Sequence, residues 1–171
     1  MGVTIHFEGK LKSSEHFNSV IEISRDFAES NNMEYEIFEE KNKSLLRIKN
    51  EKEWDYEGLA RGIKIQPDLN TDPLWIEFDK EFYIQEFCKT QFAGINSHIK
   101  IIQLLRLISP YFIELLVEDE GEYWDTKNKK KLQECFDNCF YAIEDAKKEN
   151  SNLSGPHRIE GNRIVDLMEN E

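Results

Sequence analysis

The chain has 171 residues, 39% of them hydrophobic and 12% aromatic, which suffices for one domain whose core needs neither disulfides nor metal. Its 34 acidic and 22 basic residues give a net charge of −12, which disfavours nucleic acid and anionic membranes as partners and favours cations or basic proteins. A content of 33% charged residues accounts for solubility without implying disorder.

In chain order, MGVTIHFEGK lacks the basic region and apolar core of a secretory signal, and His6 stands where a myristoylation pattern needs Ser or Thr. A cytoplasmic location is expected. VTIHFEG alternates, with Val3, Ile5 and Phe7 on one face, as a half-buried strand does. Ser13 or Ser14 caps a helix with the stripe Phe17, Val20, Ile21, Ser24, Phe27 and Ala28, closed by a left-handed Asn31-Asn32. MEYEIFE predicts a strand with Met33, Tyr35 and Ile37 inward. KNKS reads as a turn into a third, antiparallel strand, LLRIKN.

Beyond it, EWDYEGLARGIKIQP predicts a strand from Gly62 to Gln66, with Gly58 and Gly62 as breaks, followed by the loop QPDLNTDP. LWIEFD and FYIQEFCK pair as a hairpin around Asp79 to Glu81. A helix is expected from Asn96 to Ser109, a strand from Phe112 to Val117, and a helix from Thr126 to Asn150. The apolar run INSHIKIIQLLRLISPYF is broken by Lys100, Gln103 and Arg106, so it predicts a buried helix and not a membrane span. The expected fold is α+β: residues 1–150 as a single domain, a mixed sheet packed on about three helices, with a β-α-β crossover in the C-terminal half. Residues 151–171 form a tail whose RIVDL docks back on the body.

The crossover makes the strands at 82–89 and 112–117 parallel neighbours, with their C-terminal ends on one rim. Rims of this kind are where ligands bind in open parallel sheets. KTQFAGINSH and EDEGEYWDT then meet, and the candidate binding residues are Lys89, Gln91, His98, Asp119, Glu120, Glu122, Tyr123 and Trp124.

KTQFAG, its apolar helix and LLVEDEGEYWDT resemble a group of small acidic bacterial proteins of unknown function, over Leu74 to Phe136 and weakly in VTIHFEGKL. The resemblance implies a shared fold and supplies no activity. The lysine run after Thr126 departs from it, where a more acidic stretch is expected.

No catalytic residue is assigned, because there is no nucleophile elbow, phosphate loop or His-Glu-x-x-His pair. No metal or cofactor is assigned either. Asp119, Glu120, Glu122 and Asp125 suit a hard cation, but Gly121 is misplaced for a calcium loop and a solvated turn is the simpler reading. KNKKK, ending at Lys131, could hold an anion at a helix start or merely be solvated. His98 falls on the side of Ile101, Ile102 and Leu105, which favours a core histidine over a catalytic one. Cys88, Cys135 and Cys139 form no CxxC pattern; the latter two share a stripe with Leu132, Phe136, Phe140 and Ile143 and read as packing.

The function expected is non-catalytic recognition of another protein, such as a basic one, through an acidic surface, in an immunity-type or adaptor role. The alternative is a small-ligand or cation pocket at the rim, lined by Lys89, Gln91, His98 and Tyr123, with hydrolytic or transferase chemistry using Asp119, Glu122 and His98.

Overall fold

A computed structural model describes residues 2–49 and 52–171. The elements are β1 (Thr4–Leu11), α1 (His16–Ser30), β2 (Glu34–Lys49), β3 (Lys52–Gln66), β4 (Leu74–Phe78), β5 (Tyr83–Lys89), α2 (Ile95–Ile108), β6 (Phe112–Asp119), α3 (Tyr123–Thr126) and α4 (Lys129–Glu149). A tail follows, with four two-residue strands, β7 (Leu153–Ser154), β8 (His157–Arg158), β9 (Ile164–Val165) and β10 (Met168–Glu169).

The class is α+β, as the patterning predicts. Two three-stranded sheets, ordered β5-β1-β6 and β2-β3-β4, adjoin at β4 and β5; the hairpin expected of LWIEFD and FYIQEFCK forms no ladder, because β4 pairs with β3 and β5 with β1. Main-chain bonds just beyond the ends of β4 link the two strands, Asp79 N to Tyr83 O and Asp72 N to Lys89 O, each 3.0 Å. Ile5, Phe7, Ile84, Cys88 and Leu115 of the first sheet, and Ile63, Ile65, Ile76 and Phe78 of the second, form one core with α1 and α2. A smaller cluster of Val3, Ile99, Leu132, Phe136, Cys139 and Ile143 seats α4 beside α2. Phe140, assigned to that stripe, is exposed instead, because it lies on the outer side of α4.

The strands on either side of α2 do run in the same direction, and in one sheet, but they are not neighbours. β1 lies between β5 and β6 and pairs antiparallel with both, so every ladder is antiparallel. The C-terminal ends of β5 and β6 still share a rim, one strand apart.

The region of β2 and β3 differs most from expectation. KNKS is no turn, since β2 continues through it to Lys49, which pairs with Lys52, with a bulge between Glu40 and Lys43. Asn50 of the expected LLRIKN strand lies outside the described residues. Lys43 holds the strand on the sheet: Nζ is 2.6 Å from the buried Glu77 carboxylate, 4.2 Å above the Trp75 ring and 5.0 Å above that of Phe38. Opposite it, Gly58 takes a φ of 152°, which a side chain would disfavour, so the chain passes the bulge without breaking. Gly62 also lies within β3. Tyr35 and Ile37, expected inward, are exposed, because β2 is an edge strand and only Met33 before it reaches the core.

α1 has no Ser13 or Ser14 side-chain cap; both serines supply carbonyls to the first turn instead, to His16 N and Phe17 N at 3.2 Å. Asn32 has the left-handed φ of 54° expected at its end. The helix expected at 126–150 is α4, which starts three residues later, at Lys129, after Asn128, whose side chain accepts from Lys131 N; a separate turn, α3, precedes it and is closed by Lys127 at φ 53°. The tail does dock on the body: Lys89 Nζ meets Asp166 Oδ1 at 2.6 Å, Ile164 N donates to Asp72 Oδ1 at 2.8 Å, and the Ile164 side chain is buried.

Candidate functional site

The rim brings the two singled-out stretches together, and their chemistry is directed at the start of β1. Thr90 N donates to Val3 O at 3.0 Å, and Gln91 Oε1 accepts from Val3 N at 2.7 Å. On the other side, Glu120 N donates to Thr4 O at 3.1 Å and Glu120 Oε2 accepts from Thr4 N at 2.7 Å. Two side chains thus replace the carbonyls that neighbouring strands would offer, and extend the ladder beyond the ends of β5 and β6.

Beneath this lies a buried polar knot. His98 is inaccessible, with Nδ1 2.7 Å from Thr90 Oγ1 and Nε2 3.0 Å from Asp119 Oδ1. The second contact is close but off the line of the ring N–H, so it is a polar contact and not an aligned hydrogen bond. Asp119 Oδ1 also accepts from Gly121 N at 2.8 Å, and Oδ2 from Trp124 N at 2.9 Å. Burial opposes the charged form, but the His98 ring and the two amides outweigh it and hold the Asp119 carboxyl below its ordinary value. Gly121 is needed for space: a Cβ there would lie 2.5 Å from Leu132 Cδ1 and 3.1 Å from His98 Nε2.

Of the other candidates, Tyr123 packs against both cores and Trp124 against the main one. The Arg106 guanidinium covers the Trp124 ring at 4.2 Å and donates to its carbonyl. Glu122 pairs with Lys131 at 3.0 Å on the exposed side, which gives one lysine of the basic run a carboxylate partner. Lys89 is taken by Asp166. The eight candidates therefore share a neighbourhood, but Gln91, His98 and Asp119 are buried in it. Among the described residues no three His, Cys, Asp or Glu side chains are placed to hold a metal. No helix among them is long and apolar enough to cross a membrane.

The open feature lies elsewhere, on the outer face of the β5-β1-β6 sheet. The register puts His6 opposite Phe87 and Glu118, and Glu8 opposite Gln85 and Leu116, so these six share the face turned away from the helices. The far half of the β2–β3 hairpin folds over one side as an arm. Between arm and sheet runs a groove of about 850 Å³, with Leu46 (65% exposed), Ile48 (55%), Phe87 (42%) and Leu116 (51%) as its apolar lining. The carboxylates of Glu8 and Glu118 line it, and neither is ion-paired among the described residues. At one end the Arg163 guanidinium of the tail lies 4.1 Å from the Phe87 ring, donates to Phe87 O at 2.8 Å, and is 3.3 Å from Glu86 and 3.4 Å from Asp72.

None of the six outer-face residues is among the sequence candidates. The available signal was the placement of large apolar side chains, Phe87 and Leu116, on the polar side of two alternating strands. Glu86 was missed as well. Burial pushes its carboxyl up to about 8, with Arg163 opposing and Glu77 reinforcing. The folded protein thus holds this proton up to about pH 8, while the unfolded chain releases it near 4.5, so stability falls as pH rises through that window. Glu86→Gln should flatten the decline: melting temperatures measured from pH 5 to 9 should converge at the acid end and favour the variant at the alkaline end. A constant gap between the two curves would mean that Glu86 titrates normally.

No protein family, curated protein or solved structure matches the chain at a significant level.

Proposed function

We propose that the protein recognises another protein without catalysis, and that the groove between the arm and the outer sheet face is where it does so. The observation that carries this reading is the groove itself: four exposed apolar side chains gathered from β2, β5 and β6, with Glu8 and Glu118 among them. Scattered exposed apolar residues are ordinary, whereas a contiguous patch with charged neighbours marks a contact surface. These carboxylates, of which Glu8 accepts from Tyr83 and Gln85 and neither has a cationic partner among the described residues, call with the net charge of −12 for a basic partner, whose approach such a field accelerates. An immunity-type role in the cytoplasm, with the acidic face covering the basic surface of a toxin, fits this chemistry, as does an adaptor.

The alternative, a ligand or cation pocket using Asp119, Glu122 and His98, gains no support from the rim. Two of the three are closed to solvent and already engaged, and the third is paired with Lys131.

The test is a pull-down from the native host, eluted at raised salt and read by mass spectrometry, with the wild-type chain beside Phe87→Glu/Leu116→Glu. Both side chains are exposed, so the variant should melt as the wild type does. A basic protein should be retained by the wild type and lost by roughly 30-fold or more in the variant, the loss expected at a central anchor. Equal capture by both would overturn the groove as the site.

A further inference from the structure

The arm has one paired edge and one open one. β3 pairs with β2 throughout the arm, and Gln85 closes on Ile48 from the opposite side: Nε2 donates to Ile48 O and Oε1 accepts from Ile48 N, both at 2.8 Å. These are the two bonds that a neighbouring strand would make, here supplied by one carboxamide. In an antiparallel ladder, the N–H and C=O of a residue point to the same side, and the sides alternate along the strand. With Ile48 facing away from β3, Leu46 and Ser44 face away as well. Both are exposed, and among the described residues no side chain bonds to their main-chain groups.

Resting on the proposed groove, we infer that the partner segment enters as an added strand along the Ser44–Ile48 edge of β2. It thereby extends the arm into a three-stranded layer stacked on the outer face of the β5-β1-β6 sheet. Main-chain bonds to Leu46 and Ser44 hold the segment, and the side chains on its lower face meet the sheet. The lining sets their chemistry: apolar groups against Phe87 and Leu116, and lysine or arginine toward Glu8 and Glu118. Gln85 is then a placeholder, guarding the edge at Ile48 until a strand displaces it.

The probe is the peptide acetyl-TVTKTVTK-amide, which puts valine and lysine in turn on one face and threonine on the other. It is titrated into the full chain and followed by amide chemical shifts. The peptide should bind and shift Ser44, Leu46, Ile48, Phe87 and Leu116. Two N-methylated versions, one blocked at the threonines and the other at the valines and lysines, differ in which edge can pair, and one of them should bind at least about tenfold more weakly than the other. Gln85→Ala should tighten the unmodified peptide by roughly two- to tenfold, since it removes the competitor for Ile48.

Equal binding of both methylated peptides, or shifts that avoid Ser44 to Ile48, would overturn strand addition. So would the absence of any binding at millimolar peptide. If strand addition fails while the pull-down still depends on Phe87 and Leu116, the groove stands and only the added strand falls. If the pull-down is also insensitive to the groove, both fall.

Discussion

Replacing Asp119 with alanine is expected to cost the fold about 3 to 5 kcal/mol, because each buried donor left without an acceptor costs about 1 to 3 kcal/mol. The carboxylate accepts from Gly121 N and Trp124 N and lies against His98, so its loss leaves two amides without their acceptor and opens a gap beside a buried ring. Asp119→Asn, which keeps an oxygen in place, should cost less. Glu122→Gln should move stability by less than about 0.5 kcal/mol, because Glu122 and Lys131 pair at the surface. The sign of the pH dependence follows from the lowered carboxyl: its stabilisation is present above the ordinary aspartate range and is lost as pH falls through the folded value. The gap between wild type and Asp119→Asn should therefore narrow in acid. Urea titrations of the three variants at neutral pH and in acid check this, and an Asp119→Ala protein as stable as the wild type would remove the knot from the account.

Arg47→Ala should be the next largest effect, about 3 kcal/mol, the low end of the range for a broken buried ion pair. Arg47 is 1% exposed under the arm, with its guanidinium 3.7 Å from Asp79 and 4.9 Å from the Tyr83 ring. Its Nε and Nη1 have no partner, however, and an unsatisfied buried donor is itself costly. Arg47→Met, which fills the space without the donors, should therefore lose much less. Thermal melts of the two variants, with amide exchange at Ile48 to report on the arm, separate packing from charge. If methionine proves as damaging as alanine, the Asp79 contact outweighs the unsatisfied donors.

The parts of the fold that could be read from the sequence are those set by local pattern. β1, α1, α2, β4 and β5 each carry their own periodicity, and a helix between two strands of one sheet made KTQFAG and DEGEYW share a rim, whereas the pairing of β4 with β3 and of β5 with β1 was not legible. What could not be read depends on partners far along the chain. Nothing near Ile5 states that it lies opposite both Cys88 and Asp119, so the insertion of β1 between β5 and β6 was invisible. Lys41-Asn42-Lys43-Ser44 has the composition of a turn, and only Glu77, Phe38 and Trp75 around Lys43 make it a bulge. For the site, grouping residues succeeded and assigning their roles did not. His98 and Asp119 have the chemistry of a catalytic pair, but their burial turns that chemistry to holding strands. The groove escaped notice because Leu46, Ile48, Phe87 and Leu116 come from three separate strands, each a minor irregularity in its own pattern.

The clamp on Val3 and Thr4 also sets a timetable. Thr4 waits for a carboxylate 116 positions later and Val3 for a carboxamide 88 positions later. A ribosome adding about 5–20 residues per second would take roughly 6 to 23 s to span the longer gap, during which the central strand of its sheet lacks β6 throughout and β5 for most of the time. The first strand synthesised is thus among the last to be locked. Non-local pairing of this kind slows folding and leaves a sticky edge open meanwhile, so the nascent chain is most vulnerable to misassociation before Glu120 clears the exit tunnel.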